Sequence, residues 1–451
     1  MAGARSTTGG GRRSVLVIGA GPAGLAASLK LRAAGFRVTL IDEEGGVVQP
    51  PYADAVPCVV LGADHATTAL LGRLGTATRV QFPRGLHYEF YAKPKRITKL
   101  RRPPAPASLR AILSLATFPT LPLGDRRRIL SFLERTWEKD PPLDLDLDTR
   151  PADRWLAQTG QSEQARRLVW SPLARFLLGD DLSLVSARLY ADTLGRCFLS
   201  DIRNARFALP SDDLLPLLLE PARRHLVDEG ATVQRSSPVK ILRFDAQRVT
   251  EIQAGDGRIL RAEWYVLDIA HQRFSALLPD RMLARYAYFQ QIGKLQDVPA
   301  ITVHLWLADA PYEPRLLVLA DHVFHWITSR RVVQDGRTLS LVSLVAIGTT
   351  IPKDRPDAFL VRTATDLVME IFELKASPKV WHSMVVRTPQ AQLSVGPGSS
   401  ALRPLQQSPV SNLFVAGSWT DTGLPGTTES AIRSGNLCAE AIVARSTKSA
   451  P

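Results

Sequence analysis

Apolar and polar positions over the first 42 residues predict a strand, a helix and a second strand. Residues 14–19 (SVLVIG) form an apolar, β-branched run that is typical of a buried parallel strand. Leu25, Leu29 and Leu31 then recur at helical spacing until Gly35 ends the pattern. FRVTLID follows and predicts the second strand. This order of elements indicates a parallel α/β unit.

The turn between the first strand and the helix contains a glycine fingerprint. Gly19 permits a tight turn, Gly21 lets the backbone approach a pyrophosphate, and Gly24 lets the helix pack closely on the strand. Ala23 lies within the same first helical turn. The free N–H groups at the start of the helix would bind the phosphate charge. The pattern therefore predicts a dinucleotide site.

An acid ends the second strand, where this kind of site needs one. Asp42 lies 21 residues after Gly21, and a carboxylate at this position accepts hydrogen bonds from ribose hydroxyls. Glu43 and Glu44 are neighbours that could share the role. A chance arrangement of glycines is the alternative, which the complete order of strand, glycines, helix, strand and acid disfavours.

The C-terminal stretch NLFVAGSWTDTGLPGTTESAIRSGNLCAEAI has a second informative layout. LFVAG predicts a buried strand, a polar loop follows, and residues 427–442 predict a helix. A helix whose start faces a bound ring stabilises partial negative charge on that ring. An ordinary strand, turn and helix that closes the sheet is the alternative.

Together, the two ends resemble flavoproteins of the amine oxidase and phytoene desaturase superfamily, and most of all the hydroxysqualene dehydroxylases, the squalene-associated FAD-dependent desaturases of bacterial hopanoid pathways. That family ends in a Gly-Asp-Trp-Thr, Thr-Gly-Leu-Pro, Glu-Gly-Ala and Arg-Ser-Gly pattern. Segments 59–75, 155–178 and 186–201 continue the resemblance, so it covers most of the chain. The residues that match the closing pattern are Gly417, Trp419, Thr420, Thr422, Gly423, Leu424, Pro425, Glu429, Ala431, Arg433, Ser434 and Gly435.

The resemblance implies FAD as the cofactor and an α/β fold. We expect a Rossmann-like FAD-binding domain of the glutathione-reductase type, interleaved with a cap domain of mixed sheet and helices that binds the substrate. The FAD domain would comprise 12–75, 205–285 and 400–446, the cap 76–204 and 286–399, and the flexible tails 1–11 and 447–451. Beyond the N-terminal residues, the resemblance assigns FAD contacts to Val239, near the adenine, and to Gly417, Ser418, Trp419, Gly423 and Thr428.

The chain departs from the family pattern at four places near the cofactor. The usual Gly-Gly-Arg segment keeps Gly45 and Gly46 but has no Arg, and AVPC at 55–58 replaces Asn-Gly-Gln-His. Ser418 replaces an Asp, and Ser430 replaces a Gly. Losing the Arg removes a contact of about 1.5–3 kcal/mol, and the change to Ser418 weakens another by about 1 kcal/mol. FAD binding is expected to survive, whereas the altered loop bears on which reaction is catalysed.

The composition indicates the net charge of the protein and, through its cysteines, the cellular compartment. The 451-residue chain has a formal net charge of +13, which indicates either an anionic partner or a basic, solvated surface. Cys58, Cys197 and Cys438 are too few and too widely spaced for a metal knuckle or a disulfide framework, so we expect no metal and a reducing cytoplasm. The apolar run near the N-terminus belongs to the glycine fingerprint and not to a signal peptide.

A basic and apolar segment at 91–124 contains no Asp or Glu. Seven Lys and Arg residues precede or adjoin an apolar stretch at 112–121, a combination that anionic headgroups and acyl chains attract. We therefore expect peripheral contact with the inner face of the bacterial membrane. A solvated loop leading into a buried cap helix is the alternative. Nucleic acid is not an expected partner, because stacking aromatics are sparse in the segment and it contains no recognition motif.

The resemblance implies reduction of a polyprenoid, in which hydroxysqualene loses its hydroxyl to give squalene. The candidate proton donors are Asp421, Glu429 and His325, although the first two could serve as helix-terminal charges and the last as a core histidine. A carotenoid desaturase and an amine oxidase are alternative enzymes. A non-catalytic membrane partner of pathway enzymes is a further alternative. A separate reductase could supply the electrons, since the chain contains no second dinucleotide fingerprint.

Overall fold

Two large sheets organise the protein in the computed structural model. The structure describes residues 13–43, 55–82, 89–92, 96–99, 121–137, 146–201, 203–245, 247–308 and 315–448. Strands are numbered below in chain order.

A five-stranded parallel sheet forms the first layer. Its strand order is β17-β11-β1-β2-β7, and every neighbouring pair is parallel. Because the strands are parallel, all five carboxyl ends lie on one edge, and this edge carries the glycine turn. The strands are β1 (Ser14–Ile18), β2 (Arg37–Glu43), β7 (Thr232–Ser236), β11 (Trp264–Asp268) and β17 (Leu413–Ala416).

Helices from both ends of the chain cover one face of this sheet. Helix α1 (Pro22–Ala33) packs against the C-terminal helix (Thr428–Lys448) and against helix Leu214–Asp228. The two terminal helices approach so closely that a Cβ on Gly435 would lie 2.0 Å from the carbonyl oxygen of Ala23. Only a glycine fits that contact, and it brings the last helix next to the nucleotide turn.

The opposite face of the parallel sheet is covered by a three-stranded antiparallel meander and by short helices. The meander contains β8 (Val239–Asp245), β9 (Arg248–Ala254) and β10 (Ile259–Leu260). Val239 and Ile252 pack there with Leu16 and Ile18 of β1. A parallel sheet covered on both faces confirms the predicted α/β fold class.

A seven-stranded mixed sheet forms the second large unit, with strand order β16-β12-β15-β14-β13-β4-β5. All its neighbouring pairs are antiparallel except β13 with β4. Helix Asp357–Ile371 packs on one face, and helix Ser171–Leu178 lies in the core on the other. The strands are β4 (Glu89–Ala92), β5 (Arg96–Lys99), β12 (Asp297–Leu307), β13 (Arg315–Leu319), β14 (Trp326–Gln334), β15 (Arg337–Ile347) and β16 (Val380–Leu393).

Smaller elements connect the two sheets. β3 (Val60–Leu61) pairs with β6 (Phe207–Ala208), and helix α2 (His65–Arg73) follows β3. π-helical turns span Arg166–Trp170 and Gly195–Leu199, and 3₁₀ turns span Ala77–Arg79 and Ser399–Leu402. The remaining α-helices are Leu123–Trp137, Ala152–Gln158, Glu163–Ala165, Ala187–Leu194, His271–Leu277, Asp280–Arg285 and Ala287–Ile292.

Several predicted segments fall partly or wholly outside the described residues. Within 91–124, the structure places Tyr91 and Ala92 in the buried end of β4 and residues 96–99 in β5. Residues 93–95 and 100–120 lie outside the described part, so the membrane contact stays a prediction. Gly45 and Gly46 also lie outside it. The C-terminal helix runs to Lys448, six residues beyond its predicted end. No helix among the described residues is long and apolar enough to cross a membrane.

Candidate active site

The glycine turn after β1 is built as the fingerprint predicts. Gly19 has a φ of +100°, and a Cβ there would lie 1.9 Å from the carbonyl oxygen of Asp268. A Cβ on Gly24 would lie 2.1 Å from the carbonyl oxygen of Gly19. Gly21 is the N-cap of α1, Pro22 begins the helix, and Ala23 follows in its first turn. Only small side chains therefore lie next to the helix start. The turn therefore exposes the positive end of α1 among small side chains that carry no charge.

An acid from the neighbouring strand faces this turn. Oδ2 of Asp268, at the end of β11, accepts a 2.7 Å hydrogen bond from the N–H of Gly24. Burial raises the pKa of Asp268 to about 7, with a further increase from the charge of Glu43, against hydrogen bonds from Gly24 and Gly21 that lower it. Asp268 was not predicted from sequence, because it lies 244 residues from Gly24 and only the β1–β11 pairing brings them together.

The acids that end β2 are held by two arginines. Oδ2 of Asp42 lies 3.0 Å from Nη2 of Arg223, and both side chains are about one-fifth exposed. Glu43 is paired with Arg273 and also accepts a 2.8 Å hydrogen bond from the N–H of Val239. Asp42 thus pairs with an arginine at the carboxyl edge of the sheet, whereas Glu43 connects that edge to Val239, the first residue of β8.

The loop after β17 is fixed by a buried arginine. Nη1 of Arg403 donates to the carbonyl of Leu424 at 2.5 Å, and Nη2 donates to the carbonyls of Ser418 and Thr420 at 3.0 and 2.5 Å. Burial lowers the pKa of Arg403 to about 10, which leaves it charged at neutral pH. Sequence reasoning missed this residue, since one arginine among many carries no pattern.

Other contacts fix the glycines and the tryptophan of the same loop. The N–H of Gly417 donates to Oγ of Ser434 at 3.2 Å, and Nε1 of Trp419 donates to the carbonyl of Ile269 at 3.0 Å. Oδ1 of Asp421 accepts from the N–H of Gly423 at 3.0 Å. Asp421 therefore closes a tight turn within the loop.

A cavity with a volume of about 330 Å³ lies between this loop and the mixed sheet. Thr428 and Glu429, at the start of the C-terminal helix, form one part of its wall. Much of the remaining wall is apolar and comes from the segment before α2 and from the cap. The apolar lining residues include Val56, Leu61, Phe176, Leu177, Leu214 and Trp326.

Glu429 spans from the cavity wall to the start of α2. One of its oxygens accepts from the N–H of Ala66 at 3.0 Å, and the other accepts from the N–H and the hydroxyl of Thr67, both at 2.8 Å. These bonds satisfy backbone donors that a helix start leaves unpaired. Both oxygens of Glu429 are thereby engaged as acceptors.

A second acid, Asp64, lines the same cavity beside Glu429. Burial and, to a smaller extent, the charge of Glu429 raise its pKa to about 6, although the N–H of Leu61 and the charge of Arg196 act to lower it. Sequence reasoning missed Asp64, because an Asp directly before a helix is most simply explained as its N-cap.

The third predicted proton donor is placed differently. His325 is buried, and its Nδ1 accepts a 3.2 Å hydrogen bond from the N–H of Ile347. Burial lowers its pKa to about 3, and the charge of Arg175 contributes to the decrease. His325 is therefore neutral at physiological pH, and it lies outside the residues that line the cavity.

The sheet edge fits an FAD molecule in its main features. A glycine-rich turn at a helix start suits a pyrophosphate, and Asp42 suits a ribose. Two contacts would have to change when FAD binds. The N–H of Val239 already donates to Glu43, and the carboxylate of Asp268 occupies the N–H of Gly24 at the helix start, where the pyrophosphate would bind. Among the described residues, no group of His, Cys, Asp and Glu is arranged to bind a metal.

Known proteins share both the sequence pattern and this fold. A 15-cis-phytoene desaturase of Synechococcus elongatus is 27% identical over 317 residues, which is 66% of this chain and 66% of that protein. A hydroxysqualene dehydroxylase of Rhodopseudomonas palustris is 26% identical over 448 residues, which is 96% of this chain and 99% of that protein. The chain thus spans about two thirds of the desaturase and nearly all of the dehydroxylase.

A solved structure and a family model extend the comparison. The cyclohexylamine oxidase of Brevibacterium oxydans superposes with a TM-score of 0.68 at 17% identity, covering 97% of this chain and 100% of that one. The model of the flavin containing amine oxidoreductase family matches residues 22–443, which includes the helix of the glycine turn and most of the C-terminal helix. The chain belongs to that family and is an FAD-dependent oxidoreductase.

Proposed function

We propose that this enzyme acts on a polyprenoid and that its reaction is the reductive dehydroxylation of hydroxysqualene to squalene. The observation that carries the proposal is the apolar cavity beside the start of the C-terminal helix, which also contains two carboxylates. An apolar wall suits a hydrocarbon chain, and an acid is needed where a hydroxyl must leave as water. The alignment with a hydroxysqualene dehydroxylase over nearly the full length of both chains supports the same reaction.

The proposal assigns cofactor binding to the residues predicted from sequence. The pyrophosphate would lie at Gly19, Gly21, Ala23 and Gly24, and the ribose at Asp42 and Glu43, with Val239 near the adenine. The flavin side would be held by the loop after β17 and the start of the C-terminal helix. Its residues are Gly417, Ser418, Trp419, Gly423 and Thr428. The domain division at 12–75, 205–285 and 400–446 is part of the proposal, and the parallel sheet takes its strands from those ranges.

Bound FAD, once reduced, supplies a hydride to an electron-poor carbon. The residues of this chain orient the substrate and exclude water from the cavity. Leu61, Phe176 and Trp326 would surround the polyprenoid chain, while Asp64 and Glu429, which line the same cavity, would lie near its polar group. Arg403 holds the carbonyls of Ser418, Thr420 and Leu424, so its contacts would fix the loop at the flavin side of the site.

The test is to incubate the purified protein with FAD, dithionite and hydroxysqualene and to identify products by mass spectrometry. Squalene as the product supports the proposal. Parallel incubations contain phytoene or an amine with the oxidised enzyme and an electron acceptor in place of dithionite. Turnover of phytoene there, without squalene formation in the reductive assay, would favour a desaturase, for which the desaturase relative is the supporting observation. Oxidation of the amine would favour an amine oxidase. A protein that cannot be loaded with FAD would favour the non-catalytic partner.

A further inference from the structure

Asp64 and Arg196, a carboxyl group and a guanidinium group that are far apart in the sequence, lie together at the cavity wall. Oδ1 of Asp64 lies 3.5 Å from Nη1 of Arg196, and the Asp64 side chain is 13% exposed. Oδ2 of the same carboxyl accepts a 2.8 Å hydrogen bond from the N–H of Leu61. Both Asp64 and Arg196 line the cavity. The hydrogen bond from Leu61 therefore fixes the orientation of the Asp64 carboxyl, whereas the contact with the Arg196 guanidinium, at 3.5 Å, is long for an ion pair.

The two cavity acids have different surroundings. Glu429 accepts three hydrogen bonds at the start of α2, which commit both of its oxygens. Asp64 is instead dominated by its burial, to which the neighbouring charge of Glu429 adds, and together these raise its pKa to about 6. Burial and a neighbouring like charge commonly mark the carboxyl that serves as an acid. Asp64 is the member that can carry a proton near neutral pH.

We propose that Asp64 is the proton donor that releases the substrate hydroxyl as water. The inference rests on the function proposed above. The allylic C–O bond breaks, the oxygen takes the proton of Asp64 and leaves as water, and the carbon receives a hydride from reduced FAD. Alcohol, proton and hydride thus give hydrocarbon and water, with atoms and charge in balance. The two electrons come from dithionite in the test and from a reduced nicotinamide or a reductase protein in the cell.

The charged and titratable groups around Asp64 suit this role. After the proton leaves, Arg196 and the N–H of Leu61 stabilise the carboxylate. Glu429 opposes the negative charge and so favours return of the proton. Two other titratable groups lie nearby. Nε2 of His65 contacts the amide oxygen of Asn204 at 3.0 Å. Burial raises the pKa of the Cys197 thiol to about 12, so the thiol stays protonated.

The experiment compares two substrates, hydroxysqualene and its acetate ester, because acetate leaves without needing a proton from the enzyme. Wild type, Asp64→Asn and Asp192→Asn are reduced with dithionite and followed in single turnovers. Asp192 is an exposed helix residue paired with Arg188 and serves as the matched control. Asp64→Asn should slow the alcohol about 10²–10⁴-fold and the ester less than about tenfold. The flavin spectrum and the thermal midpoint show whether each variant is folded and loaded.

The pH profile provides the second readout. With the alcohol, the wild-type rate should fall about tenfold per pH unit above about pH 6, as Asp64 loses its proton. Asp64→Asn should lose this dependence. If wild type makes no squalene, both the proposed function and this assignment fail. If wild type is active and Asp64→Asn matches it, the assignment alone fails, as it does if the variant slows alcohol and ester equally.

Discussion

Replacing Asp268 with Asn should remove a pH-dependent cost of folding at the glycine turn. Burial raises the pKa of Asp268 from 3.8 to about 7, so the folded state favours the protonated acid. Below pH 3.8 the carboxyl is protonated in both folded and unfolded chains, and its contribution is fully favourable. As the pH rises toward 7, the unfolded chain ionises first and the free energy of unfolding decreases.

The size of this effect follows from the shift in pKa. A change from 3.8 to about 7, at 1.36 kcal/mol per unit, corresponds to about 4 kcal/mol at pH 8. Asp268 is only partly buried, so this value is an upper bound and about 2 kcal/mol is the expected change. Asn keeps a carbonyl that can accept the N–H of Gly24 but cannot ionise. The variant should therefore gain stability at pH 8 and change little at pH 4.

Urea unfolding of the flavin-free protein, followed by circular dichroism at pH 4, 6 and 8, measures this difference. Asp228→Asn is the matched control, because Asp228 is an exposed carboxylate at the end of a helix. The control should follow wild type at each pH. Equal pH dependence in wild type and Asp268→Asn would refute the reasoning, since it would show that Asp268 ionises normally in the folded protein.

Three further predictions concern the cofactor and the packing. Asp268→Asn should lower the Kd for FAD more at pH 8 than at pH 6, measured by flavin fluorescence, because an ionised carboxylate would repel the pyrophosphate. Gly435→Ala should lower the free energy of unfolding by about 1–3 kcal/mol, because its Cβ would meet Ala23. Glu429→Gln should lower it by about 1–3 kcal/mol in urea titrations, because the hydrogen bonds to α2 weaken.

Each of these predictions has a comparison that could contradict it. An FAD Kd with the same pH dependence in wild type and Asp268→Asn would separate Asp268 from the pyrophosphate site. Gly72→Ala is the control for Gly435, since Gly72 lies in α2 with open space around it, and we expect it to stabilise the helix by about 0.5–1 kcal/mol. For Glu429, unfolding equal to wild type would mean that α2 does not need its cap.

Much of the cofactor-binding half could be predicted from sequence, because its signals are local. The spacing of Gly19, Gly21 and Gly24 reflects one turn and one helix start, and a buried parallel strand appears as an unbroken apolar run. The C-terminal strand and helix were predicted for the same reason. Only the end of that helix was placed too early, because its last turns are polar and lack the apolar repeat.

The roles of the acidic side chains depended on tertiary contacts. In the sequence, Asp421, Glu429 and Asp64 are equally plausible as loop or helix-end charges. The fold closes a turn with Asp421, engages both oxygens of Glu429 at α2, and leaves Asp64 with a raised pKa in the cavity. His325 could not be judged either, because its pKa depends on burial that no local pattern reveals.

The sequence by itself determined the α/β class, the glycine turn and the chemistry of its cofactor, because each depends on residues within one strand-helix unit or on a family pattern. Only the tertiary structure decided that Asp268 faces Gly24 and that Asp64 faces Glu429. Each pair lies hundreds of positions apart in the chain. Burial and neighbouring charge, which set the pKa of an acid, are properties of the assembled core and not of the chain order.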